Sequence, residues 1–126
     1  EQIIYSDEIA TYIGAGKTFT AMTGSPYSPK LSGRLIQLKL VVYGSSVAAL
    51  IEGLVAKVES SKWGVPIHVA AAGAGLRTAP AFPIPVGIQN CDAPVTTGVQ
   101  ITAEIKNVTA DTPVTVEATL IGVFEG

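Results

Sequence analysis

The chain has 126 residues, the size of one domain, and we expect residues 1–126 to fold as a single unit. It is 48% hydrophobic but only 14% charged, against roughly 25% in an average globular protein. The net charge is −2, and the eight basic residues are scattered. This charge pattern argues against binding of nucleic acid through its phosphates, and no apolar stretch approaches the ~20 residues of a membrane-spanning helix.

The first third of the chain predicts short strands separated by turns. Residues 3–5 and 8–13 have strand-like patterns, and Gly14-Ala15-Gly16 predicts a turn into a further strand over 17–22. We therefore expect a hairpin closed by this glycine-rich turn. Residues 23–29 contain two prolines and a glycine, which predicts a loop.

Residues 34–43 predict the first long strand. Ile36, Leu38, Leu40 and Val42 alternate with more polar positions, so these four side chains are expected on one face.

The segment 46–59 fits two patterns. Its apolar residues fall on one helical stripe over three turns, and Ser46 is a suitable N-cap, which slightly favours a helix. The alternative is a strand over about 50–59 with Leu54, Ala56 and Val58 facing inward. Gly53 weakens the helix by about 1 kcal/mol relative to Ala.

The remainder of the chain predicts three more strands. These cover 65–71, 99–106 and 114–124, and the middle one has the clearest alternation. Prolines make 73–85 an irregular connection, and 90–97 is predicted as a loop. The last strand is apolar on both faces near its end, which is typical of a strand covered on both sides.

Seven to nine short strands with at most one helix predict a mainly β fold. An antiparallel β-sandwich or barrel follows, and a jelly roll is a common arrangement of eight such strands.

Two glycine-rich segments resemble nucleotide-binding motifs but lack essential positions. Gly14-Ala15-Gly16-Lys17-Thr18 ends like a phosphate-binding loop, but Thr11 stands where the first glycine belongs. Residues 73–78 begin like a dinucleotide fingerprint, but Thr78 replaces the third glycine and Pro80 follows. We interpret both as turns.

No set of residues predicts catalysis, a metal or a cofactor. His68 is the only histidine and lies in a predicted strand, and Cys91 is the only cysteine. Possible calcium ligands are too sparse for a site. They are Asp7, Glu8, Asp92 and Asp111. We therefore expect a protein that is not an enzyme.

Aromatic residues and one sequon offer weaker indications of binding. Asn107-Val108-Thr109 is an N-glycosylation sequon in a predicted turn. A sugar-stacking platform is conceivable from the larger aromatic residues, but we expect most of them in the core. They are Tyr27, Tyr43, Trp63 and Phe82.

In overall style the chain resembles the single jelly-roll coat proteins of icosahedral viruses. It is rich in Ala, Val, Thr and Gly, has little charge, and ends in an apolar strand. It is similar also to decoration proteins and to β-rich subunits of surface filaments. The resemblance implies a self-assembling capsid subunit, in a virion or outside the cell, whose partners are copies of itself and other structural proteins.

Assembly of this kind would bury neutral β surface between copies. The apolar ends of the chain and the proline-rich connection are the expected contacts: Ile3, Ile4, Tyr5, Pro80, Phe82, Pro83, Pro85, Ile121, Val123 and Phe124. Two alternatives stay open. One is a filament subunit joined by strand exchange, and the other is a carbohydrate- or ligand-binding β-sandwich.

Overall fold

The computed structural model describes residues 3–14, 18–42, 54–70, 84–107 and 116–126. Every regular element in these ranges is a strand, so the mainly β fold is confirmed. The strands are β1 Ile4–Gly14, β2 Thr20–Ala21, β3 Gly33–Val42, β4 Leu54–Ser60, β5 Ile67–Ala70, β6 Ile84–Val95, β7 Ile101–Asn107 and β8 Val116–Glu125.

The strands form two antiparallel four-stranded sheets. The first sheet has the order β1-β8-β3-β6 and the second has the order β2-β7-β4-β5. The pairs are nested, with β1 on β8, β2 on β7, β3 on β6 and β4 on β5. Each sheet keeps its own two edge strands, so the described residues do not form a closed barrel.

One apolar core joins the two sheets. In β4 the side chains of Leu54, Ala56 and Val58 are fully buried, while the residues between them are only partly buried. The same alternation in β7 buries Ile101, Ala103 and Ile105. These side chains belong to one cluster with Leu38, Leu40 and Leu120 of the first sheet. The clearest alternation in the sequence therefore marks the core-facing side of the second sheet.

The predicted helix over 46–59 is wrong in the part that the structure describes. Residues 54–60 form β4, and the alternative strand, with Leu54, Ala56 and Val58 inward, is confirmed there. The physical reason is that β4 has a strand partner on both sides, β5 and β7, which no helix could use. Residues 46–53 lie outside the described residues.

The predicted N-terminal hairpin is also wrong. β1 pairs with β8 of the first sheet, whereas β2 pairs with β7 of the second. Only an isolated bridge between Thr11 and Thr23 links the two segments. Long-range pairing with the C-terminal strands replaces the local pairing that the glycine-rich turn suggests.

The predicted loop over 90–97 is strand up to Val95. Along β6, Cys91, Ala93 and Val95 turn towards the core while Asp92 and Pro94 are exposed. An edge strand tolerates proline because its outward N–H groups need no partner, and β6 lies at the edge of its sheet.

A bulge changes which residues of β3 face the core. The register shifts between Leu35 and Gln37 on both neighbouring strands, β6 and β8. Leu35 is therefore fully buried and Ile36 only half-buried, although strict alternation from Leu38 predicts Ile36 inside.

Among the residues that the structure describes, no helix has the length and hydropathy to cross a membrane.

Candidate functional site

The predicted contact residues at the two ends of the chain come together in the β1–β8 ladder. Tyr5 pairs with Phe124, and Ile4 pairs with Glu125. Ile3 and Ile4 are 55% and 64% exposed, whereas Phe124 is 1% exposed and stacks on Tyr5. Phe124 therefore stabilises the chain's own core and offers no surface for a contact.

The structure describes only some of the other predicted contact residues. Ile121 and Val123 are half-buried on β8. Pro85 pairs with Val41 at the start of β6. Pro80, Phe82 and Pro83 lie outside the described residues, as do Tyr43 and Asp111. Asn107 ends β7 opposite Leu54.

His68 and Cys91 lie apart from each other. His68 is exposed on β5 opposite Lys57, and its ring lies 6.3 Å from that of Phe19. The Cys91 thiol donates to the carbonyl of Leu35 at 3.4 Å. Burial, and then the nearby Asp92, raise the pKa of Cys91, which disfavours the nucleophilic thiolate. Within the described ranges, no three metal-binding side chains cluster.

A polar depression, which we call the turn groove, lies beside the β4–β5 and β6–β7 turns. Its volume is about 700 Å³. Among the described residues that line it, Glu59 alone is charged, and this carboxylate is 3.2 Å from Lys57. The others carry hydroxyl, amide or small groups: Ser28, Ser60, Ser61, Gly98, Val99, Gln100 and Thr102.

Trp63 stands between the turn groove and a second depression. A small cleft shares Glu59 and Ser60 with the turn groove, and Trp63 also lines it. The indole N–H donates to the carbonyl of Pro94 at 2.8 Å, and the ring packs against the core. The half-exposed ring is therefore fixed in orientation.

The second depression, which we call the Trp63 pocket, has a volume of about 340 Å³. It lies at the edge between the two sheets, where β5 and β6 diverge, and its walls include Val65, Ile67 and Cys91. The edges meet further along, where Gly87 lies so close to Ala70 that an added Cβ would be 2.5 Å from the carbonyl oxygen. The gap opens from this contact towards Trp63.

Charged side chains near these depressions and on the sheet surfaces form ion pairs. Arg34 reaches Glu125 at 2.8 Å and Asp92 at 3.2 Å, joining three strands of the first sheet. On the second sheet, Lys57 lies 3.2 Å from Glu104 and 4.4 Å from the centre of the Phe19 ring. These contacts leave little unpaired charge to attract an ionic ligand.

A buried hydroxyl ties β1 to the loop before β3. The Tyr27 hydroxyl donates to Asp7 at 2.6 Å, and Lys30 lies 3.2 Å from the same carboxylate oxygen. Partial burial alone would raise the pKa of Asp7, but the hydrogen bonds from Tyr27 and Lys30 hold it below its usual value. Burial and the Asp7 carboxylate raise the pKa of Tyr27. Asp7 is therefore a structural partner and is not placed to bind calcium.

Sequence reasoning identified Trp63, which stands beside the turn groove, but none of the described residues that line the groove itself. Of the aromatic residues considered with it, Tyr27 lies in the core, stacked on Phe124. The groove residues come from three separate segments. Their only signal in the sequence is a run of small polar residues around Gly98, which has a positive φ of 89° in the β6–β7 turn.

Comparison with known proteins gives one likeness of fold. No family model and no curated protein matches the chain. The chain is similar to a solved structure described as "Crystal Structure of FLHE", at 13% identity and a TM-score of 0.47, over 99% of this chain and 95% of that one. The prediction of a viral coat or decoration subunit is corrected by this finding, since the matched structure is described as FLHE and not as a coat protein. The likeness is too weak to carry any further argument.

Proposed function

We propose that this chain is a non-catalytic binding domain whose turn groove holds a neutral oligosaccharide. The observation that supports this most is the fixed, half-exposed indole of Trp63 beside a depression of hydroxyl and amide groups. Aromatic faces stack on the apolar faces of sugar rings, and hydroxyl and amide groups exchange hydrogen bonds with sugar hydroxyls.

The electrostatics of the groove favour an uncharged ligand. Glu59 is paired with Lys57, and the other described lining residues of the turn groove carry no charge. A phosphate or sulfate group would find no cluster of Lys or Arg there. The Ser28, Ser61 and Gln100 side chains are exposed in the groove, so hydrogen bonds to a ligand would cost little rearrangement.

The proposed architecture is a β-sandwich of the jelly-roll type. Its support is the nested pairing of β1 with β8, β2 with β7, β3 with β6 and β4 with β5. A jelly roll holds eight strands in two sheets, and lectin domains are among the proteins that use it. We also propose an extracellular setting, which suits a neutral surface that recognises glycans.

The experiment uses Trp63 as its own reporter, since it is the only tryptophan of the chain. Soluble gluco-, xylo-, manno- and chito-oligosaccharides are titrated against the protein while the tryptophan fluorescence is recorded. We expect a saturable change with at least one series. Gln100→Ala should weaken that binding about fivefold, because one hydrogen bond contributes about 1 kcal/mol.

Gln89→Ala is the matched control, because Gln89 is exposed on β6 and does not line the turn groove. It should bind as the unchanged protein does. The proposal fails if fluorescence and calorimetry detect no binding of any series, or if both variants weaken binding equally.

A further inference from the structure

The outer side of β1 is an unusually open edge in this fold. No backbone hydrogen bond between described residues reaches this side from Ile4 to Glu8. Ile3 exchanges both backbone hydrogen bonds with Gly126, so by antiparallel alternation Ile4 and Ser6 direct their N–H and C=O groups away from β8. An edge of this kind is a template for another strand.

Two local features set the length of the open edge. A bulge between Glu8 and Ala10 reverses the alternation, and beyond it Thr11 pairs outward with Thr23. The N–H of Glu8 donates to the side chain of Asp7 at 3.1 Å. The available ladder therefore covers Ile3 to Asp7, with Ile4 and Ser6 as its bonding residues.

We propose that a second copy of this chain binds this edge, β1 against β1, as an antiparallel twofold pair centred on Tyr5. In this register Ile4 lies opposite Ser6 of the partner, and each such pair exchanges two hydrogen bonds. The first sheets of the two copies become one continuous sheet. The partner is the chain itself because the open segment is self-complementary in this register: Ile4 and Ser6 of each copy pair with Ser6 and Ile4 of the other.

The charges of β1 select this register. Asp7 then lies opposite Ile3 of the partner, which puts the two Asp7 residues four positions apart, about 14 Å along the strands. That exceeds the Debye length of about 8 Å at physiological salt, so their repulsion is screened. A centre at Ser6 would halve this separation to about 7 Å and bring the carboxylates within range of each other.

The exposed apolar surface fits the same pairing. Ile4, which is 64% exposed, lies on the solvent face of the sheet, and the register places the two copies of Ile4 on that face as diagonal neighbours. Diagonal neighbours in adjacent strands are about 7–8 Å apart, which is within reach of large side chains. Pairing over Ile3 to Asp7 buries less surface than the ~1,200 Å² of a standard stable interface. The dimer is therefore weak, and its population depends on concentration.

The Trp63 pocket stays accessible in this dimer. β1 is one edge of the first sheet, and β6, which lines the Trp63 pocket, is the other edge. A dimer through β1 would carry its two pockets on far sides of the joined sheet. Dimerisation through β1 does not require the proposed ligand, although a dimer with two binding sites would gain avidity for it.

The test is sedimentation equilibrium of the whole chain over a range from about 10 µM to about 1 mM, where weak dimers become populated. We expect the mass to rise from monomer towards dimer. Ile4→Lys should keep the chain monomeric throughout, because a charge on an edge strand opposes pairing. Ile88→Lys is the matched control, since Ile88 is 56% exposed on β6, and it should dimerise as the unchanged chain does.

Amide exchange locates the contact. The amides of Ile4 and Ser6 should become protected as concentration rises, and Ser6→Pro, which removes one outward donor, should abolish the dimer. Circular dichroism checks that each variant is folded. A monomer at every concentration overturns the proposal, as does a dimer that persists in Ile4→Lys or one that leaves both amides unprotected.

Discussion

The two edge strands of the first sheet, β1 and β6, protect their outer sides in opposite ways. β6 carries Pro85 and Pro94, which lack N–H groups, and its Gly87 lies directly against Ala70 of the second sheet. β1 contains no proline, and among the described residues its outer side is paired only where Thr11 meets Thr23. One edge is closed by its own fold, and the other is left available for a strand.

The difference also separates the two sites proposed above. Trp63 binds the carbonyl of Pro94 and fills the gap beside β6, so that edge becomes the wall of a pocket. The Tyr27–Asp7 hydrogen bond holds β1 through a side chain on its core-facing side. It therefore leaves the backbone groups on the open edge of β1 unused. The chain forms a pocket where β5 and β6 diverge beside Trp63, and it exposes a backbone ladder along β1.

The largest effect is expected from closing the β6 contact too tightly. Gly87→Ala would place a Cβ 2.5 Å from the carbonyl oxygen of Ala70, and neither backbone can yield easily. We expect the free energy of unfolding to fall by about 3 kcal/mol, measured by urea denaturation. Gly64→Ala is the control, because no atom lies within 4 Å of its added Cβ. Equal losses of stability in Gly87→Ala and Gly64→Ala would contradict a close contact between Gly87 and Ala70.

A smaller loss of stability is expected from removing the Tyr27–Asp7 hydrogen bond, which holds β1 on its core-facing side. Tyr27→Phe removes the hydroxyl that donates to Asp7 and should lower the free energy of unfolding by about 2 kcal/mol, the usual range for a hydrogen bond to a charged group. Thermal denaturation at neutral pH measures this loss. The other aromatic contacts of Tyr27 remain, so an unchanged midpoint would show that the hydrogen bond contributes nothing.

The same carboxylate should make stability depend on pH. The pKa of Asp7 is lower in the folded chain than its ordinary value of 3.8, so its contribution is present above that value and is lost as the pH falls through the folded pKa. The stability difference between the unchanged chain and Asp7→Asn should therefore be largest at neutral pH and shrink below about pH 4. A constant difference down to about pH 2 would contradict this assignment.

The smallest effect is expected at the fixed indole. Trp63→Phe keeps an aromatic ring but loses the N–H donor to Pro94, which should lower the free energy of unfolding by about 1 kcal/mol. Hydrogen exchange should speed up in the β4–β5 turn and remain unchanged in β1. Faster exchange in both the β4–β5 turn and β1 would mean that the stability of β1 depends on the Trp63 contact.

The sequence predicted β7 correctly, and it offered β4 only as the alternative to a slightly favoured helix. β7 and the described part of β4 bury the residues that alternation assigns, because each strand is covered on one face only. It failed at β6, where Asn90, Asp92 and Pro94 suggest a loop and only the edge position makes them compatible with a strand. It also failed for the β1–β2 hairpin, because no local signal reports a partner more than 100 residues away in the chain.

The interface prediction shows both the strength and the limit of the sequence. Apolar residues at the two ends of the chain are expected to make contacts, and the structure places Ile4, Tyr5 and Val123 within one ladder. The sequence could not distinguish a residue that contacts a neighbour from one that fills the core, as Phe124 does. The distinction depends on the opposite sheet, which the sequence does not display.

By itself, the sequence determined the strand-rich class and the core-facing residues of β7, since period-two alternation and β-branched side chains act within one segment. Only the tertiary structure decided which strands pair, which edges remain open and where the polar groove lies. The turn groove draws residues from three segments, and the open edge exists because β8 occupies one side of β1 and no described backbone group pairs with the other side from Ile4 to Glu8. Such features arise from contacts distant in sequence, and no local pattern encodes them.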